Sequence, residues 1–117
     1  MAILVVDDNA EAAEVLGIGL ELLGQEVRTA LDGESALAML DEWRPAIAIL
    51  DLSMPGMGGI ELAQALRARL GNAVTLIALT GHGGADDRAR TKAAGFDCHW
   101  VKPVSLDDVE RWLKARG

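Results

Sequence analysis

The chain has 117 residues, which is the length of one ordinary domain, and half of these residues are hydrophobic while a quarter are charged. Its formal net charge of −7 argues against nonspecific binding to nucleic acid, which requires Lys and Arg to neutralise phosphates. No apolar run is long enough to span a bilayer, and the single cysteine, Cys98, excludes an internal disulfide and fits a reducing compartment. We therefore expect one cytoplasmic domain over residues 1–117, without direct nucleic-acid contacts or membrane insertion.

Hydrophobic periodicity predicts five strands that alternate with five helices along the chain. The run from Ala46 to Leu50 is apolar at every position, which is typical of a parallel strand that is covered on both faces. Cap and turn residues separate the elements. In chain order we predict a strand over residues 2–6, a helix between Asn9 and Gly24, an edge strand over 26–30, a helix over 34–43, a strand over 46–50, a helix that opens at Gly58-Gly59, a strand over 74–79, a helix over about 85–94, a strand over 98–101 and a last helix after Ser105.

This alternation indicates a parallel sheet with right-handed crossovers and with helices on both faces. The Gly-x-Gly-x-x-Gly fingerprint of dinucleotide-binding domains is missing after the first strand. We therefore predict an α/β fold with a five-stranded parallel sheet in the flavodoxin-like order 2-1-3-4-5, which places the first and third strands side by side. The side chains that the first and last helices are expected to bury are Val15, Leu16, Leu20, Leu22 and Leu23, and Leu106, Val109 and Leu113.

Polar side chains follow the strands at the carboxyl edge of this sheet. Asp7 and Asp8 end the first strand, and Asp51, Thr80 and Lys102 end the third, fourth and fifth. Taken alone, Asp51 fits equally well as a cap of the following turn. Three carboxylates at one edge would repel one another unless a cation neutralised them, and Mg²⁺ binds few carboxylates together with waters and a phosphate oxygen. With Lys102 and Thr80 available to other phosphate oxygens, the set predicts phosphoryl transfer to the Asp51 carboxylate.

The chain resembles the receiver domains of two-component signalling, the response-regulator family, over essentially its whole length. Each matching segment is weak evidence by itself, but four of them in the right order at the strand ends are specific. The segments are Val5-Val6-Asp7-Asp8-Asn9, Leu50-Asp51-Leu-Ser-Met-Pro55-Gly-Met-Gly-Gly59, Ala78-Leu79-Thr80-Gly81 and Trp100-Val101-Lys102-Pro103. Gly58 departs from the common pattern, because receivers frequently have an acidic residue at this position.

The resemblance implies that Asp51 is the phosphoacceptor, which takes a phosphoryl group from the phosphohistidine of a histidine kinase or a histidine phosphotransfer domain. It further implies that Asp8, Asp51 and the backbone carbonyl of Ser53 ligate Mg²⁺ directly, while Asp7 acts through water. A receiver is a signalling phosphoacceptor and not a conventional enzyme, apart from self-catalysed phosphorylation and dephosphorylation.

The resemblance also assigns roles in switching. Thr80 is implied to be the switch hydroxyl, and Lys102 to contact the phosphoryl group after a cis bond to Pro103. His99 lies three residues before Lys102, where receivers commonly carry Tyr or Phe, and we expect its ring to move inward on phosphorylation. Ser53 and His82 border the path of attacking water, and we expect them to tune the phosphoryl lifetime.

Two alternatives come from other functional classes. An Asp-nucleophile phosphatase of the haloacid-dehalogenase type also uses an aspartate after an apolar strand, but it needs a second acid two residues later, where this chain has Ser53. A passive scaffold would show no Mg²⁺-dependent phosphorylation. Within the receiver interpretation, the segment over residues 95–99 is similar to receivers of hybrid histidine kinases. An excised receiver and a stand-alone regulator therefore both remain open, as does the output partner.

Overall fold

The structure is a computed structural model that describes residues 1–54, 56–81 and 85–116. Its strands are β1 (Ala2–Val6), β2 (Glu26–Ala30), β3 (Ile47–Asp51), β4 (Thr75–Thr80) and β5 (Cys98–Val101). They form one sheet in the order β2-β1-β3-β4-β5, and every neighbouring pair is parallel. The predicted fold class and strand order are confirmed. The ends of β1 and β3 therefore lie side by side, with Val6 opposite Leu50.

Helices cover both faces of the sheet, as predicted. They are α1 (Ala10–Leu22), α2 (Gly33–Met39), α3 (Gly59–Leu70), α4 (Ala85–Ala93) and α5 (Leu106–Arg116), with a short 3₁₀ turn over Gly71–Ala73. One apolar core lies between the sheet and α2 and α3, and a second lies between the sheet and α1 and α5. In the part of the chain that the structure describes, we find no helix with the length and hydropathy needed to cross a membrane.

The two cores explain why the central strands are apolar at every position. Successive strand side chains point to opposite faces of a sheet. In β1, Leu4 and Val6 therefore enter the core beside α2 and α3, whereas Ile3 and Val5 enter the core beside α1 and α5. All four side chains are buried, so neither face of the strand tolerates a polar residue.

The second helix is shorter than the sequence predicts. It ends at Met39, and the chain continues through tight turns in which the Glu42 and Trp43 amides both donate to the Met39 carbonyl. The residue before a proline avoids helical dihedrals, so Pro45 requires the chain to leave the helix before Arg44. Trp43 is nevertheless buried, and its indole N–H donates to Glu26 on β2.

Three side chains that were expected to be buried are exposed. Val15 and Leu22 on α1 are 65% and 81% exposed, and Leu106 at the start of α5 is 42% exposed. A helix on a sheet buries only one stripe of its surface, and α1 carries more apolar residues than this stripe accommodates. Leu106 lies against Gly19 of α1, where an added Cβ would lie 2.6 Å from the leucine side chain. The expectation for these three residues was therefore wrong.

Candidate functional site

Three carboxylates gather where β1 and β3 end. Asp7, Asp8 and Asp51 each offer one oxygen, and these oxygens all lie within 4.8 Å of one another. Asp7 and Asp51 are buried, with only 2% and 3% of their surface exposed, whereas Asp8 is exposed. Adjacent parallel strands bring these residues together although they are more than forty positions apart in sequence. Oxygen donors of this kind fit a hard divalent cation.

Burial, a neighbouring charge and hydrogen bonds together set the pKa of the Asp51 carboxyl group. Burial is the main cause that raises its pKa above the ordinary value of 3.8, and the charge of Asp7 acts in the same direction. The backbone N–H of Ser53, which donates to Asp51 Oδ1 at 3.1 Å, lowers the pKa, and Lys102 lowers it further. Burial and the negative charge of Asp7 thus disfavour the ionised form of Asp51. The Ser53 N–H and the Lys102 ammonium group offset this effect only in part.

Lys102 supplies this compensation from the end of β5. Its Nζ lies 3.4 Å from Asp7 Oδ2 and 3.6 Å from Asp51 Oδ2, so one ammonium group bridges both buried carboxylates. The Lys102 amide donates to the Thr80 carbonyl at 2.7 Å, which holds the residue beside the end of β4. The Lys102–Pro103 bond is cis, as the sequence resemblance implies. The distances from Lys102 Nζ to the two carboxylates are long for hydrogen-bonded ion pairs, and the Lys102 side chain is 36% exposed.

The segment that follows β1 is held by the start of α1. Asp7 Oδ1 accepts from the Asn9 amide at 3.0 Å, and Asn9 Oδ1 in turn accepts from the Ala12 amide at 3.0 Å. Asn9 is the N-cap of α1, as its residue type predicts. One chain of hydrogen bonds therefore fixes both the helix start and the buried acid. Asp8 stays at the surface between them.

Gly59 belongs to the site, and its role there was not anticipated from the sequence. A Cβ at this position would lie 2.4 Å from the carbonyl oxygen of Asp51 and 2.9 Å from Leu52 Cα. Only glycine lets α3 begin so close to the end of β3. The doublet Gly58-Gly59 was recognised as a helix start, but the contact with Asp51 depends on how the helix lies against the strand.

Of the remaining predicted residues, Thr80 and Ser53 follow the ends of β4 and β3. Thr80 is buried at the end of β4, opposite Val101 of β5, and Ser53 is exposed two residues after Asp51. The ring of His99 contacts α4, where its Nδ1 lies 3.2 Å from Thr91 Oγ1. His82 lies outside the described residues.

A groove of about 640 Å³ opens beside the carboxylates, between α1 and the segment after β5. Asp7 and Lys102 are among the residues that line it, and the rest of the lining is largely apolar. The wall residues include Val15, Leu16, Leu79, Val104 and Leu106. The exposed side chains of α1 and of the α5 start therefore flank an approach to the site.

Comparison with known proteins identifies the family. The response regulator receiver domain model matches residues 3–114 of this chain. The chain belongs to the response regulator receiver domains. Among curated relatives, the transcriptional regulatory protein PrrA of Mycobacterium leprae is 40% identical over 113 residues, which cover 97% of this chain and 48% of the relative. The two-component response regulator PhoP of Pseudomonas aeruginosa is 35% identical over 115 residues, 98% of this chain and 51% of the relative. This receiver domain thus spans about half the length of these relatives.

Solved structures agree with this assignment. The chemotaxis protein CheY4 of Vibrio cholerae superposes with a TM-score of 0.90 at 30% identity, over 97% of this receiver domain and 96% of that chain. A CheY-like receiver domain protein of Methanospirillum hungatei has a TM-score of 0.87 at 28% identity, over 98% and 91%. The receiver domain is accordingly a signalling phosphoacceptor module of two-component response regulators, and the phosphatase alternative is not favoured.

Proposed function

We propose that this receiver domain accepts one phosphoryl group on Asp51 from the phosphohistidine of a histidine kinase or histidine phosphotransfer domain. The observation that carries the proposal is the position of Asp51, a buried carboxylate with a raised pKa between Asp7 and the Lys102 ammonium group. In the transfer, an Asp51 oxygen forms a bond to phosphorus while the phosphorus–nitrogen bond of the donor breaks. The modified domain then presents a changed surface to an output partner.

Asp8 and Asp51, with the Ser53 backbone carbonyl, would hold Mg²⁺ directly, and Asp7 would act through water. The exposure of Asp8 supports this division, because its carboxylate is accessible to an entering ion. Asp7 is already engaged through Oδ1 with the Asn9 amide, and its Oδ2 faces Lys102. When bound, Mg²⁺ would supply positive charge for the carboxylates and for the phosphoryl oxygens.

Lys102 and Thr80 have complementary roles in this proposal. Lys102 gives up its two long contacts with Asp7 and Asp51 and contacts a phosphoryl oxygen instead. Its side chain is partly exposed and flexible, which permits this movement. Thr80 then donates its hydroxyl to another phosphoryl oxygen, and this movement biases the equilibrium between two conformations. Ser53 and His82 tune the rate at which water removes the group by self-catalysed dephosphorylation.

We also propose that the domain acts in the cytoplasm. Its one cysteine, Cys98, is free, as expected of a protein in a reducing compartment. Both a stand-alone regulator and a receiver taken from a hybrid kinase agree with the proposal, and the length of the gene product distinguishes them.

The decisive experiment is incubation with acetyl phosphate or phosphoramidate and Mg²⁺, followed by intact mass measurement. We expect one added phosphoryl group in the wild type, none in Asp51→Asn, and none in the presence of EDTA. Asp41→Asn is the matched control, because it removes an exposed carboxylate that pairs only with Arg69 among the described residues. An undiminished adduct in Asp51→Asn contradicts the assignment, and the absence of any adduct in the wild type favours a passive scaffold.

A further inference from the structure

A buried threonine contacts the predicted switch histidine. Thr91 on α4 is polar, yet only 2% of its surface is exposed. Its Oγ1 lies 3.0 Å from the Arg88 carbonyl and 3.2 Å from His99 Nδ1. Neither the sequence patterns nor the family match assigns a role to Thr91.

The two contacts of Thr91 determine where the proton of the imidazole lies. A hydroxyl has one hydrogen to donate, and Thr91 donates it to the Arg88 carbonyl one helical turn earlier. In the contact with His99 the hydroxyl oxygen must therefore accept. The neutral imidazole donates from only one of its two nitrogens, so it carries its hydrogen on Nδ1.

The other ring nitrogen strengthens this assignment. His99 Nε2 is closed to solvent and has no hydrogen-bond partner among the residues that the structure describes. A hydrogen on Nε2 would thus be buried without an acceptor, while Nδ1 and Thr91 Oγ1 would face each other without a hydrogen between them. With the hydrogen on Nδ1, this N–H group donates to Thr91 Oγ1. Nε2 then buries an unsatisfied lone pair in place of an unsatisfied N–H group.

We propose that Thr91 is a positioning residue that holds the His99 ring in the Nδ1–H tautomer and thereby ties α4 to β5. The proposal rests on the proposed function in one respect, namely that His99 takes part in switching. His99 lies on β5 opposite Ala78 of β4, two residues before the strand reaches the neighbourhood of Thr80. A displacement at Thr80 that moves β5 relative to β4 is then transmitted to α4 through the bond between His99 and Thr91.

The tautomer is tested in the unphosphorylated protein by nitrogen-15 NMR of the imidazole rings, with a His82→Gln variant to assign the two histidines. We expect the Nδ1–H pattern for His99 in the wild type and in Thr91→Ser, which keeps the hydroxyl. Thr91→Val keeps the shape but removes the acceptor, and we expect its ring to shift to the Nε2–H form or to a mixture. An Nε2–H ring in the wild type, or an unchanged pattern in Thr91→Val, overturns the proposal.

The coupling is tested by the change in α4 amide resonances when acetyl phosphate and Mg²⁺ are added. We expect wild type and Thr91→Ser to respond alike and Thr91→Val to respond clearly less, with the same yield of phosphorylated Asp51 by mass. A full α4 response in Thr91→Val overturns the coupling. If the wild-type chain takes no phosphoryl group, the proposed function and the coupling to it are both overturned. The tautomer does not depend on phosphorylation and is decided by the first experiment.

Discussion

Gly58 and Gly59, which lie next to each other at the start of α3, are expected to differ in how much a substitution destabilises the domain. At Gly59 an added Cβ would lie 2.4 Å from the Asp51 carbonyl oxygen and 3.0 Å from the Asp51 carbonyl carbon. Both atoms are backbone, so no side-chain rotation relieves the contact, and either β3 or α3 must shift. Overpacking of this kind costs about 1–3 kcal/mol, and a forced backbone shift places Gly59→Ala at the upper end of this range.

Part of this loss is offset, because alanine favours a helix over glycine by about 1 kcal/mol in a helix interior and by less at its first residue. We therefore expect Gly59→Ala to lower the free energy of unfolding by about 2 kcal/mol, which for a domain of this size lowers the Tm by roughly 8 °C. The displaced Asp51 carbonyl should also slow phosphorylation by acetyl phosphate.

Gly58→Ser is the matched control for this substitution. Among the described residues other than its two chain neighbours, none has an atom within 4 Å of a Cβ at Gly58, and its φ of −73° and ψ of 169° suit any residue that caps a helix. A serine hydroxyl there can accept from an amide of the first turn, so we expect stability equal to the wild type or a few tenths of a kcal/mol higher. Urea denaturation followed by the fluorescence of the three tryptophans measures all three proteins. Equal stability of Gly59→Ala and wild type would show that the close approach of α3 to Asp51 is not rigid.

Further predictions concern the opposite edge of the sheet, the acidic site and the switch. Arg67 donates to the carbonyls of Gly71, Val74 and Gly95 and to the Asp97 carboxylate at 2.7–3.0 Å, so Arg67→Ala should lower the free energy of unfolding by about 2–4 kcal/mol in urea titrations. Burial raises the pKa of Asp51, so the stability contributed by this group is present below its unfolded value of 3.8 and is lost as pH rises through the folded value. In EDTA at neutral pH, Asp51→Asn should therefore be more stable than wild type, and a less stable variant would contradict the assigned direction. Thr80→Ala should take up phosphate with a similar yield but show a smaller change in its NMR spectrum, and equal spectral changes in both proteins would remove Thr80 from the switch.

Several features follow from the sequence by itself. The apolar run over residues 2–6 predicts β1 with its observed bounds, and the edge strand predicted over 26–30 and the short strand predicted over 98–101 match β2 and β5. Asn9 predicts the start of α1. Alternation of strands and helices permits few topologies, and all of them place the carboxyl ends of the strands at one edge. In the predicted order 2-1-3-4-5 the first and third strands are neighbours, so the meeting of Asp7, Asp8 and Asp51 could be predicted without coordinates. These features depend on local dihedral preferences and on a general rule of connection, which a single chain reveals without any partner atoms.

Other features were decided only by contacts between distant segments. Which apolar residues of α1 reach the core depends on how the helix lies on the sheet, so the exposure of Val15 and Leu22 could not be predicted from periodicity. The need for glycine at position 59 arises from a strand carbonyl, and the tautomer assigned to His99 arises from a hydroxyl on a neighbouring helix. Hydrogen bonds and steric contacts act over a few ångströms in space, whereas the sequence pattern records only distances along the chain.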